Sequence, residues 1–435
     1  MRPEAFSGGE KVRLSGRERL LTLLKSRLGD PPLPLRIGFW DGESFDFGPE
    51  PKLTINLTDR RLLRLMLTGN ISRLGDAYVD GRLTVEGKVE DILGVGMELA
   101  DRIGRSPLVQ RIGAVVSKVP RPHSRKKDAA DIVSHYDVSN DFYRLWLDER
   151  MVYSCAYFRT GDETIDQAQA QKLDHICRKL RLRKGERLLD IGCGWGALAI
   201  HAAKHYGANV VGVTLSPSQQ TLALERVEAA GLSDKIEIRL QDYRDVPGEG
   251  VFDKISSVGM IEHVGLANYP VYFGTIARLL KPGGALLNHG ITVTDPGGKA
   301  QGPAGGDFID RYVFPGGELP HVSKVLTEMA SAGLEPVDME DLRPHYARTL
   351  QHWVRRLEAH EAEAIAEAGP ERYRIWRIYM PGMAVAFDKG WLSVGQVLAY
   401  KPQADDRWAT RPWSRDYQYA EGPEQLATGL DWSEF

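Results

Sequence analysis

The stretch LLDIGCGWGALAIHAA at residues 188–203 constrains the fold more than any other part of the chain. It reads as a strand over residues 187–191, a glycine turn, and a helix beginning near Gly196. Gly192, Gly194 and Gly196 carry no Cβ, so the backbone can turn tightly there and come close to a ligand. The ligand expected at such a turn is a nucleotide-like cofactor. Alone, the triad fits a methyltransferase, a dinucleotide enzyme or a plain tight turn.

The residues that follow separate these readings. A second strand, NVVGVTLS, arrives about twenty residues later, where a dinucleotide-binding fold carries an acidic residue for the ribose hydroxyls. No Asp or Glu stands there. Thr214, Ser216 and Gln219, with Leu215 among them, offer neutral hydrogen-bond partners before the helix SPSQQTLALERVEAAG. A third strand, IEIRLQDYRDV, ends in Gln241, Asp242 and Tyr243: an amide, a carboxylate and an aromatic suited to an adenine amine and its ring. Strand, turn, helix, strand, helix, strand, with polar residues at each carboxyl end, is the order that an S-adenosylmethionine site requires.

At 435 residues the chain exceeds the usual single domain, so a large domain with a smaller one is expected. A hydrophobic content of 42% beside 26% charged residues is that of a folded globular chain, so disorder is not the default. The net charge of -3 argues against wholesale nucleic-acid binding, although residues 1–29 hold seven Lys or Arg against three Asp or Glu. Cys155, Cys177 and Cys193 form no disulfide framework or paired zinc spacing, which suggests a reduced, cytoplasmic compartment. No signal-peptide core and no run of about 18 apolar residues is evident, so no membrane span is expected.

The helix over residues 15–28 sets Leu20, Leu21, Leu24 and Leu28 on one face. Those leucines either pack inward or meet an anionic membrane. LRIGFW, SFDFG and KLTINLT then read as short strands, followed by leucine-rich helices around GDAYVDGRLTVEG, giving a small α+β domain over residues 1–116. SKVPRPHSRKKDAAD, with two prolines and five bases, reads as a basic linker over residues 117–134: a solvated connector, or an anionic-lipid contact. Residues 135–402 carry the α/β pattern, with HWVRRLEAHEAEAIAEAG and ERYRIWRIYM as helices inserted between strands. Residues 403–435 form an aromatic-rich tail, and its Trp408, Trp413, Tyr417, Tyr419 and Trp432 are expected to dock on the protein.

FDKISSVGMIEHVG places Glu262 and His263 just after a fourth strand, and GGALLNHGIT places His289 at the end of a fifth. Taken together, YDVSNDFY, YSCAYF, DIGCGWG, GVTLSPSQ, QDYRD, VGMIEHVG, LKPGG, RYVFPGGELP and HYARTL resemble the cyclopropane-fatty-acid synthase family. These S-adenosylmethionine-dependent lipid methyltransferases include the mycolic acid cyclopropane synthases. The resemblance covers about residues 135–401, and more loosely the preceding domain. It implies a Rossmann-like class I methyltransferase domain with inserted helices, in an α/β chain. The activity implied is cyclopropanation of a cis double bond in a phospholipid acyl chain.

The resemblance also implies a bound bicarbonate as base, in a cradle of Cys155, Glu262, His289, Ile291 and Tyr346, with Cys155 and Ile291 acting mainly through backbone amides. Cofactor contacts carry over to Tyr136, Tyr153, Ser154, Asp190, Gly192, Gly194, Trp195, Thr214, Gln219, Asp242 and Tyr243. The turns described above add Gly196, Leu215, Ser216 and Gln241. Cys155 has a rival reading as a nucleophile, although alkene methylation needs no covalent enzyme intermediate. Phe142, Tyr157, Phe308, Tyr312, Phe314 and Trp353 are candidates either for the wall of an acyl channel or for core.

The implied partners are unsaturated phospholipid in a bilayer, touched transiently at the inner membrane, and a second copy of the chain by family precedent. Two departures stand out. Met383 occupies the place of a cysteine often singled out in bacterial members, so no mechanism needing that thiol applies. The tail also outruns the usual family end. A methyl-branched or methylene fatty acid is the nearest alternative product; a small-molecule methyltransferase and an inert lipid-binding protein are more remote.

Overall fold

A computed structural model describes residues 15–28, 32–68, 70–104, 139–297, 306–314, 317–403 and 412–419. The basic stretch at residues 117–134, Tyr136, Trp408 and Trp432 lie outside the described residues. The chain divides into two compact units, Met1–Gln110 and Arg111–Phe435.

In the first unit, β1 (Leu35–Gly38) pairs antiparallel with β2 (Ser44–Asp46) and parallel with β3 (Leu53–Leu57), which pairs antiparallel with β4 (Leu83–Glu86). Leu35 and Ile37 of β1 are buried while Arg36 between them reaches Asp46, the two-residue alternation of a sheet with one covered face. Leu20 of the helix Gly16–Leu28 is fully buried and the helix packs on Arg61–Thr68, so this part of the leucine face turns inward. Asn70 starts the helix Ile71–Val79 by accepting the Arg73 amide.

The second unit is built on seven strands, β5 (Arg187–Ile191), β6 (Asn209–Thr214), β7 (Ile236–Leu240), β8 (Phe252–Val258), β9 (Leu280–Val293), β10 (Glu335–Asp341) and β11 (Leu392–Tyr400), in the order β10, β11, β9, β8, β5, β6, β7. β5 lies between β6 and β8, and β7 and β9 extend the parallel set on either side. β11 and β10 close one edge antiparallel. The inner strands are covered on both faces. Leu188 and Val210 point into one core with the helices Ile165–Lys179, Ala197–Tyr206 and Pro217–Ala229; Leu189, Ile191, Val211 and Val213 point into the other with Tyr269–Leu279 and Val322–Ser331. The chain leaves β5 toward β6 and later returns to β5's other side as β8. That reversal opens a crevice at the carboxyl ends of these strands, where open α/β sheets bind ligands.

The helices expected between the last strands are Arg343–Ala359 and Glu361–Asp388, the second broken at Gly369 (φ 80, ψ 160) just before Pro370. The tail docks through the helix Asp416–Tyr419 on Ile165–Lys179, with Arg415 2.7 Å and Gln418 3.2 Å from the buried Asp338 of β10. Trp413 departs from the docking expected of the tail aromatics, being 77% exposed, and Tyr419 does so in part, 49% exposed beside His175. No helix among the described residues is long and apolar enough to cross a membrane.

Candidate active site

Three turns at the carboxyl ends of β5, β6 and β7 make one pocket. Gly192, Gly194 and Gly196 all have positive φ (77, 54 and 80), which explains the triad. Gly192 must lack a side chain because a Cβ would lie 2.5 Å from Met260 Cγ. Gly194 lines the pocket, with nothing within 4 Å of where a Cβ would stand. Asp190, Trp195, Thr214, Leu215, Gln219, Gln241, Asp242 and Tyr243 line the same pocket, and Tyr153 and Ser154 close it from the segment before the sheet.

Two expected contacts are placed elsewhere. Gly196 precedes the helix Ala197–Tyr206 with its Cβ position 3.4 Å from Ala223, so it permits close helix packing instead of facing ligand. Ser216 is buried and caps Pro217–Ala229 by accepting the Gln219 amide, which keeps its side chain out of the pocket wall. Tyr136 lies outside the described residues.

Several polar groups in the wall hold one another. Thr214 Oγ1 donates to Gln219 Oε1 at 2.8 Å. Arg244 forks onto Asp242, Nε to Oδ1 at 2.9 Å and Nη2 to Oδ2 at 2.6 Å. The indole of Trp195 donates to Asn140 Oδ1 at 2.8 Å. Asp190 is buried; Ser256 donates to its Oδ1 at 2.7 Å, and burial raises its carboxyl to about 6.

The helix Ile165–Lys179 supplies what the sequence reading missed. A capping box between Thr164 and Gln167 fixes its start. Gln169 then donates to the carbonyls of Val152 (3.2 Å) and Ser154 (2.9 Å), and Lys172 donates to Ser154 Oγ (2.8 Å). Asp148 accepts the amides of Arg150 (3.0 Å) and Val152 (2.7 Å), pinning Met151 between them at φ 54. Polar residues three apart on a helix normally read as a solvent face, so QAQAQK concealed a buried one.

Behind this pocket lie the residues assigned to a cradle. Glu262 is the second residue of the short helix Ile261–Val264, between the pocket-lining Met260 and His263. Its Oε1 accepts the Ile291 amide at 2.7 Å, its Oε2 is buried with no partner among the described residues, and burial raises its carboxyl to about 7. The Ile291 amide is therefore committed to Glu262, a correction to its expected role as a donor to an anion. His289 is buried on β9 opposite Gln396 of β11, whose amide lies 3.2 Å from Nδ1. Burial, with the charges of Lys172 and Lys179, lowers the imidazole to about 3, so it is neutral.

Cys155 is fully buried, its Sγ 3.3 Å from the Ala156 carbonyl and 3.8 Å from that of Leu342. Burial pushes the thiol well above its ordinary value, which removes the thiolate a nucleophile needs. The Tyr346 amide donates to the same Leu342 carbonyl at 3.0 Å, while the Leu342 amide donates to Val394, the ladder partner of Ile291. The Cys155 thiol and the Tyr346 amide thus share the Leu342 carbonyl, and the Glu262 carboxylate is held on the neighbouring Ile291 of the ladder.

The aromatic candidates split. Phe142 and Trp353 are fully buried in a cluster with Tyr143, Trp146 and Trp376 that backs the pocket-lining Tyr153, so they are core. Tyr157 stacks between His175 (4.2 Å) and His345 (4.8 Å). Phe308 and Tyr312 touch each other, and Phe314 lies 5.8 Å from His263.

A family model described as mycolic acid cyclopropane synthetase matches residues 123–397, and one described as a domain of unknown function matches residues 22–106. A probable fatty acid methyltransferase of Pseudomonas putida is 46% identical over 400 residues, 92% of this chain and 100% of that protein. The cyclopropane-fatty-acyl-phospholipid synthase of Escherichia coli K12 is 42% identical over 265 residues, 61% of this chain and 66% of that protein. The solved structure of mycolic acid cyclopropane synthase CmaA1 complexed with SAH and CTAB is similar with a TM-score of 0.59 at 35% identity, covering 65% of this chain and 99% of that one.

Proposed function

Because the chain belongs to the mycolic acid cyclopropane synthetase family of S-adenosylmethionine-dependent lipid methyltransferases, we propose that it converts cis double bonds of phospholipid acyl chains into cyclopropane rings. S-adenosylmethionine supplies an electrophilic methyl group. The alkene carbon takes that methyl, a cationic carbon forms next to it, and loss of one methyl proton closes the ring, leaving S-adenosylhomocysteine.

The observation that carries this reading is Glu262, a buried carboxyl with one oxygen held and the other without a partner among the described residues, set between two residues of the cofactor pocket. Bicarbonate would supply the base, and the neutral His289, Tyr346 and Glu262 are the residues that would hold it. The unpartnered Oε2 fits such a neighbour, since a buried polar atom without a partner is costly. The buried rings around Tyr153 keep water from the cationic carbon. Membrane contact is proposed as transient and peripheral, at the cytoplasmic face of the inner membrane, with a homodimer as the assembly.

The purified protein, incubated with S-adenosylmethionine and vesicles of cis-unsaturated phospholipid, should give lipid products whose proton NMR shows high-field ring signals. The name of the Pseudomonas relative favours a second reading, in which the methylated chain ends as a methylene or, given a reductant, a methyl-branched product. Vinylic signals, or a new methyl doublet without ring signals, would replace the first reading with this one. Label transferred only to a soluble acceptor would sink both.

A further inference from the structure

On the reading just proposed, the pocket receives a ligand whose amino-acid end carries a carboxylate. An anion taken out of water needs a cation or several strong donors. Lys172 and Arg244 are the lysine and arginine among the described lining residues. Arg244 belongs to the corner of Gln241, Asp242 and Tyr243, with its guanidinium already folded onto Asp242. Lys172 belongs to the other wall segment, that of Tyr153 and Ser154.

The lysine is 2% exposed, and Ser154 Oγ takes one of its three N–H donors. No carboxylate among the described residues comes within 4.0 Å of Nζ. Asp148, and after it Cys155 and Asp190, weigh on the ammonium electrostatically, but both oxygens of Asp148 are committed to the backbone amides of Arg150 and Val152, and Asp190 Oδ1 accepts from Ser256. The Ser154 hydroxyl, accepting from the ammonium, keeps its own O–H to donate. Its carbonyl is tied down by Gln169, one turn earlier on the helix that carries Lys172. A buried cation and a hydroxyl, both immobilised, therefore face the pocket together.

We propose that Lys172, with Ser154 as second donor, receives the carboxylate of the cofactor's amino-acid end and so decides which way round the ligand lies. The adenine end then falls to Asp242 and Tyr243, where the arginine is spent. Burial pulls the ammonium down to about 8, which leaves it charged at neutral pH.

The test is calorimetry on the full chain with S-adenosylhomocysteine and with its decarboxylated form, which differs by that carboxylate alone. The natural protein should prefer S-adenosylhomocysteine by ten-fold or more. Lys172→Gln should erase the preference, weakening S-adenosylhomocysteine at least ten-fold while leaving the decarboxylated ligand unchanged, which also certifies the fold. Lys172→Arg should restore most of it. Undiminished affinity of Lys172→Gln for S-adenosylhomocysteine, or equal loss of both ligands, would overturn the assignment. Failure of the natural protein to bind either ligand would instead overturn the reading of the pocket on which it rests.

Discussion

Glu262 and Asp190 are both buried carboxyls raised by desolvation, yet their expected phenotypes differ. Glu262→Gln keeps the shape and removes the charge, so cofactor affinity should persist while turnover falls about 10²–10⁴-fold; steady-state rates beside a binding isotherm check this. Unaltered turnover would end the carboxylate's assigned role. Asp190 titrates at 3.8 ordinarily and near 6 in the fold. The stability linked to its protonated form is fully present below pH 3.8 and is lost as pH rises through 6. Asp190→Asn should therefore become more stable relative to the parent as pH rises from 4 to 7, in paired denaturant melts. Glu262 and the pocket turns were legible because each stands just past the end of a strand, a local signal; His289 was expected at a strand end, but β9 runs on past it to Val293. Lys172, Gln169 and Gln396 were not, since their burial comes from partners far away in sequence.

At the scale of elements, the glycine turn makes the sharpest prediction. Gly194→Val must hold φ near 54 at a position L-residues resist by about 1–2 kcal/mol, and its side chain has the pocket to enter. Cofactor affinity should drop at least ten-fold by calorimetry; retained affinity would mean that the turn is not where the ligand sits. The aromatic cluster behind Tyr153 makes another. Trp146 is fully buried against Tyr143, Tyr153, Trp353 and Trp376, so Trp146→Ala should cost about 3–5 kcal/mol in chemical denaturation. The strands were readable because β5 and β6 each centre on a short apolar run, Leu188–Leu189 and Val210–Val213, flanked by turn residues. The antiparallel closure by β10 and β11 was not, because pairing order is set by the helices between them, not by either strand's own residues.

For the whole molecule, the tail is the part the resemblance left unassigned, and its docked turn gives it a structural task. Ending the chain at Gln403 removes Arg415 and Gln418 from the buried Asp338, leaving it Lys179 at 4.0 Å among the described residues. Uncovering that carboxylate should cost about 1–3 kcal/mol and lower the thermal midpoint by several degrees, with cofactor affinity unchanged; an unshifted midpoint would make the docking incidental. A larger consequence follows from the glutamine that faces His289 across the β9 and β11 ladder. With Gln396 occupying one ring nitrogen, the other is left to meet a neighbour across the ladder. Burial pulls the imidazole down to about 3, so the ring stays uncharged and is a poor store for the acid equivalent that each catalytic cycle releases.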